Sequence, residues 1–142
     1  MDKCMNYLGI ARKAGFLAIG EKNSGAAARS GRAQILLLAA DASDNARKRA
    51  EGFALGGKLP PPVRLPYSME HIAGYTGKTG SVLALTDPGI AYSFVAGLTG
   101  EIAGLDEIAN LLLERNQQAL RRRKEAAAHA ANKRAGKRRK SV

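Results

Sequence analysis

Apolar positions along the first hundred residues switch repeatedly between helical and strand spacing. Cys4, Leu8, Ala11 and Ala14 share one helical face, with Asp2 placed to cap its start and Gly15 just past its end. Phe16 to Ile19 is a short apolar run between Gly15 and Gly20, which predicts a buried strand. An alanine-rich stretch closed by Gly31 predicts a second helix over about Lys22 to Ser30, and Ala33 to Ala40 predicts the central strand. Asp41 and Asp44 flank Ser43 where they can cap a third helix, which continues from Ala46 to Leu55 and stops at Gly56 and Gly57. Pro60, Pro61 and Pro62 forbid regular structure. Val63 to Leu65 predicts a third strand, Ser68 caps a fourth helix over Met69 to Tyr75, and Ser81 to Thr86 predicts a fourth strand. Pro88 suits a first helical turn, so Gly89 to Leu98 reads as a fifth helix. This alternation predicts an α/β sandwich, a small four-stranded sheet with helices on both faces.

Beyond Gly104 the pattern changes. Leu105, Ile108 and Leu112 mark one apolar stripe, but after Leu120 nothing apolar larger than alanine follows except Val142. The last helix is therefore expected to dock by its first turns only. From Arg121 the chain has helix propensity and no surface to bury, so it is expected to fray into solvent unless a polyanion orders it. The division expected is a core over 1–104 and a C-terminal helix over 105–142 that runs out into a basic tail.

Charge sharpens that division. The formal net charge is +11, yet residues 1–114 hold 12 Lys/Arg against 11 Asp/Glu, while residues 115–142 hold 11 Lys/Arg against the single acid Glu125. Almost all of the excess belongs to the tail, and such charge points to a polyanion, nucleic acid first. An anionic membrane fits poorly, since the tail has no Phe, Trp or Tyr to insert. The longest apolar run, Ile35 to Ala40, is a strand's length and far short of a membrane span. No targeting peptide is read at the start of the chain, and the single cysteine, Cys4, excludes a disulfide scaffold; a reducing, cytoplasmic setting is expected.

Catalytic and cofactor chemistries fail on spacing. Gly77-Lys78-Thr79 would be a phosphate loop only with glycine at position 72, where Ile72 stands, and only before a helix, whereas a strand follows. The glycines at 15, 20, 25, 97, 100 and 104 do not form a dinucleotide fingerprint and read as helix stops and turns. His71 and His129 lack partners at metal-ligand spacing, and Cys4 on an apolar face reads as a buried thiol. No enzyme activity, metal or cofactor is expected. With three Phe, four Tyr and no Trp, the chain also does not suit modules that stack single-stranded bases on a sheet.

Two segments carry a resemblance. LGIARKAGFLAIGEKNSGAAARSGRAQILLLAADAS, from Leu8 to Ser43, and VRLPYSMEHIAGYTGKTGSVLALTD, from Val63 to Asp87, resemble the kink-turn RNA-binding ribosomal protein family of the large-subunit "L-seven-Ae" type, especially its small bacterial members. With the third helix between them, the likeness spans roughly residues 5–98. It implies a three-layer α/β/α domain on a mixed sheet that grips a sharply bent RNA with tandem sheared G·A pairs beside a bulge.

In the family, a polar pair at the start of the second helix reads guanine edges, and Gly20 and Glu21 here lead to Lys22 and Asn23 in that place. Lysine donates to guanine O6 and N7, asparagine both donates and accepts, and the helix N-terminus favours a nearby phosphate. The family's loop against an extruded nucleotide corresponds to Ala42 and Ser43, and a second such loop to Lys78, Thr79, Gly80 and Ser81. Lys78 would contact phosphate there. A plain reading of the same residues is a solvated first turn and an ordinary surface loop.

Two positions depart from the family pattern. Ala26 stands where a lysine is common, with Arg29 three residues on as a substitute, and Gly80 stands where arginine is common. These departures keep open an adaptor that retained the fold and lost RNA recognition. The favoured expectation is a monomeric RNA-binding protein whose partner is structured RNA, ribosomal RNA among the candidates, without DNA specificity or a membrane. Arg121, Arg122, Arg123 and Lys124, and then Lys137, Arg138, Arg139 and Lys140, would add sequence-independent grip.

Overall fold

The elements are α1 Met5–Ala14, β1 Leu17–Ile19, α2 Glu21–Arg29, β2 Ile35–Leu38, α3 Asp44–Gly56, β3 Val63–Arg64, α4 Met69–Thr76, β4 Val82–Leu85, α5 Pro88–Leu98 and α6 Asp106–Lys140. They come from a computed structural model that describes residues 4–140, with side chains described from Cys4 to Asn132. Asp2 and Val142 lie outside the described residues, as do the side chains of Lys137, Arg138, Arg139 and Lys140.

Local chemistry sets most element limits. Gly15 ends α1 and Gly77 ends α4 in the left-handed conformation, at φ 80° and 79°, which only glycine adopts without cost. Ser43, Ser68 and Asp87 each accept a backbone N–H from the first turn of the helix that follows, those of Ala46, His71 and Ile90. The two aspartates expected at the start of α3 divide differently. Asp44 lies in its first turn, but Asp41 Oδ1 accepts the Met69 N–H at 2.9 Å and so serves α4 instead. That partner is 28 residues away, beyond the reach of a local capping rule.

The sheet is mixed, in the order β1-β4-β2-β3. β4 runs antiparallel to both β1 and β2, and β3 runs parallel to β2. The interior strands β2 and β4 are buried on both faces, so their alternate residues feed different layers. Ile35, Leu37, Leu83 and Leu85 join Met5, Leu8, Phe94 and Leu98 in the larger core beneath α1, α4 and α5. Leu36, Leu38, Val82 and Ala84 face the small residues of α2 and α3, among them Ala27, Ala28, Ala46, Ala50 and Ala54. The result is a three-layer α/β/α sandwich.

Two sequence expectations are modified at the edges. β1 is an edge strand with Leu17 and Ala18 only half-buried, and Phe16 falls outside it and is exposed, because no strand covers its outer side. Ala14 is also exposed, and Met5 takes its place on the buried face of α1. The first turns of α6 pack through Leu105, Ala109 and Leu112 into the larger core, chiefly against α5. The helix then continues to Lys140, and at 35 residues it is about 50 Å long.

Close backbone approach fixes α1 on α4. A β-carbon at Gly9 would lie 2.9 Å from the Tyr75 carbonyl oxygen, a backbone atom that cannot swing aside. Gly9→Ala should therefore destabilise the fold by about 1–3 kcal/mol through overpacking, read as a lower midpoint in urea at unchanged slope. A wild-type midpoint would show that α1 shifts without cost.

Candidate nucleic-acid interface

Strand directions bring the predicted segments together. Ile19 ends β1 opposite Leu83, while Leu38 ends β2 opposite Val82 at the start of β4. The β1–α2 turn, the β2–α3 loop and the α4–β4 loop therefore leave the sheet at the same end. Gly20 is the N-cap of α2 at φ 97° and ψ 158°, and its N–H donates to the Val82 carbonyl at 2.8 Å. Buried Ser24 donates to the same carbonyl at 3.3 Å, which ties the first turn of α2 to β4. On the other side of β4, the Ala39 N–H donates to the Ser81 carbonyl at 3.0 Å.

Gly80 locks the arrangement. A β-carbon there would lie 2.7 Å from Ile19 Cγ2 and 3.0 Å from the Gly20 nitrogen, so only glycine lets the α4–β4 loop seat on the α2 N-terminus. Buried Thr76 holds the loop from below by donating to the Lys78 carbonyl at 3.0 Å. Lys78 and Thr79 are exposed, and Ser81 is half-buried.

The polar residues at the start of α2 have different surroundings. Glu21 pairs with Arg49 of α3 at 2.6 Å. Lys22 is exposed. Asn23 Nδ2 donates to the Ile19 carbonyl at 3.1 Å, which leaves Oδ1 as its acceptor. Arg29 is exposed at the last turn of α2. Ser43 is part of the β2–α3 loop at this end, but its hydroxyl is occupied as the α3 cap, accepting the Ala46 N–H at 3.1 Å.

An open cleft of about 380 Å³ runs from this end along the outer edge of β1. Asn23 and Ala26 form one wall, and the cations are Lys78, Arg12 and Arg32. Arg12 donates to the Thr76 carbonyl at 2.5 Å, and Arg32 to the Ser30 hydroxyl at 3.0 Å. Arg12 and Arg32 were not among the residues the sequence singled out, because nothing local marks either as facing β1. They line the same cleft as Ala26, the position where the expected lysine is missing. Arg29 is not part of the cleft wall.

Arg121, Arg122, Arg123 and Lys124 are exposed on α6. Away from the interface, Cys4 is buried; that burial pushes its thiol above the ordinary value, and Glu101 adds in the same direction. His71 stacks on Tyr67 at 5.1 Å between ring centroids and lies tilted against Tyr75 at 5.7 Å. Among the described residues no group of three or more His, Cys, Asp or Glu is placed to hold a metal ion, and no helix is long and apolar enough to cross a membrane.

No family model matches the chain. It is 33% identical over 90 residues to "RNA-binding protein YlxQ" of Enterococcus faecium, a match covering 63% of this chain and 85% of that protein. A solved structure of a protein with unknown function from Bacillus halodurans is similar at TM-score 0.61 and 24% identity, covering 71% of this chain and 100% of the other, a likeness of fold. With the identity to YlxQ spanning most of that protein, the chain belongs to the L-seven-Ae-like family in which YlxQ falls.

Proposed function

We propose that this protein binds structured RNA without catalysis, prefers a kink-turn, and takes a ribosomal or other ribonucleoprotein RNA as its target. The reading rests on one observation: Gly80 packs on Gly20, so that the loop carrying Lys78 is seated against the N-terminus of α2, where Lys22 and Asn23 stand. A helix N-terminus supplies backbone N–H groups and partial positive charge for a phosphate. Lys22 supplies donors for guanine O6 and N7, and the Asn23 Oδ1 complements an amino group on a base edge. The relative from Enterococcus faecium, named as an RNA-binding protein, supports the same class of partner. The basic tail would add affinity for any polyanion without reading sequence.

The test is binding of the full chain to a kink-turn RNA and to a plain duplex of equal length and charge, over a salt series. The expected result is a preference for the kink-turn that persists as salt rises, because phosphate attraction is screened while base contacts are not. Equal affinity for both RNAs at every salt concentration would overturn the reading and favour an adaptor role.

A further inference from the structure

We infer that a second stretch of RNA, the phosphate backbone of a stem flanking the kink, is held along the β1 edge and around the far end of the sheet by Arg12, Arg32, Arg115 and Arg122. The inference rests on the proposed RNA-binding function and extends it from the cleft that Asn23 and Lys78 share to four arginines that the family resemblance did not mark.

Continuity between two clefts carries the argument. Lys78, Arg12 and Arg32 line the cleft beside β1, which starts at the loop end of the sheet. At the opposite end a second, mainly polar cleft of about 300 Å³ opens between the α2–β2 turn and α6. Gly31 and Ala33 line this second cleft while Arg32 between them lines the first, so the two meet at that turn. Arg115 and Arg122 stand on the α6 side, two turns apart on one helix face. Arg115 is steadied there by donating to the Gln34 carbonyl at 3.3 Å. The basic tail begins directly beyond.

Charge pairing separates the track cations from Arg47 and Arg49 of α3. Arg47 of α3 pairs with Asp44 and Glu51, and Arg49 pairs with Glu21. Among the described residues, Lys78, Arg12, Arg32, Arg115 and Arg122 make no ion pair. The three residues of β1 span about 10 Å. Lys78, Arg12 and Arg32 line the cleft beside that strand. A stem would thus be followed from the loops, along the edge strand, to the start of the tail.

Stem length and charge test the track together in the full chain. The RNAs are one kink-turn carrying either a ~16-base-pair or a ~5-base-pair flanking stem, the longer being comparable to what a duplex-binding domain spans. Arg32→Gln with Arg122→Gln removes two exposed cations, and an unchanged thermal melt is expected. The variant should lose about tenfold affinity for the long-stem RNA and little for the short one, with a salt slope smaller by about 1.8. Its preference for kink-turn over duplex should stay at the wild-type level, and Arg32→Lys with Arg122→Lys should restore long-stem binding. Equal losses on both stems, or none, with kink-turn preference intact would overturn the track and leave the proposed function standing. If the wild-type chain shows no kink-turn preference, the proposed function fails, and plain duplexes of the same two lengths still decide whether the track exists.

Discussion

Replacing Lys22 and Asn23 together by alanine should abolish the preference for a kink-turn over a plain duplex while leaving duplex binding nearly unchanged. A bidentate base contact is worth about 1–3 kcal/mol of discrimination, so removing the Lys22 contact together with the single Asn23 Oδ1 contact should weaken kink-turn binding by at least about tenfold. Salt dependence is the control. Lys22 accounts for at most one phosphate's share of the slope, about 0.9, so a larger fall would mean that the pair acts by charge and not by reading bases.

Asn23 also donates to the Ile19 carbonyl, and its loss should cost about 1 kcal/mol of stability. The melt should accordingly shift by a few degrees and remain cooperative. Retention of full kink-turn preference by the double variant would exclude the α2 N-terminus as the recognition surface.

Neutralising the tail should have the opposite signature. Glutamine at Arg121, Arg122, Arg123, Lys124, Lys137, Arg138, Arg139 and Lys140 removes charge beyond Leu112, the last fully buried residue of α6 among the described residues. If half of those charges engage phosphates, the salt slope falls by about 3.6, each contributing about 0.9. Between ~50 and ~200 mM salt the wild-type chain should then lose about 100-fold more affinity than the variant. The ratio of kink-turn to duplex affinity should hold steady, because the tail does not read bases. An unchanged slope would show that the tail stays off the RNA, and a changed ratio would give it a part in recognition.

The two variants separate tasks that net charge alone merges. The +11 total describes mostly the last 28 residues, whereas discrimination depends on side chains in a nearly neutral domain. Within that domain the useful cations are those left without a carboxylate. Arg47 and Arg49 belong to the same neutral count as Arg12 and Arg32, yet their ion pairs withdraw them from a role in attracting RNA.

How much of this was legible in the residues follows from the range of each interaction. Helices and strands were readable in order, because apolar periodicity, glycine stops at Gly15 and Gly31, the Ser68 cap and Pro88 act within a few residues of where they stand. Phe16 and Ala14 were misplaced as buried because periodicity says which residues share a face, not whether a neighbouring strand or helix covers it. Lys22 and Asn23 were found through the family likeness, not through any property of the dipeptide.

The sequence by itself determined the alternation of elements, the two-sided apolar strands β2 and β4, and the segregation of positive charge into the tail. Only the tertiary structure decided that β4 inserts between β1 and β2, so that three loops distant in sequence leave one end of the sheet. It also decided that Asp41 serves α4, that no β-carbon fits at Gly80, and that Arg12, Arg32, Arg115 and Arg122 line two adjoining clefts without ion pairs. The physical reason is separation along the chain. Caps and periodicity are set by neighbours in sequence, whereas strand order, close packing and charge pairing are set by groups that meet only after the sheet has formed.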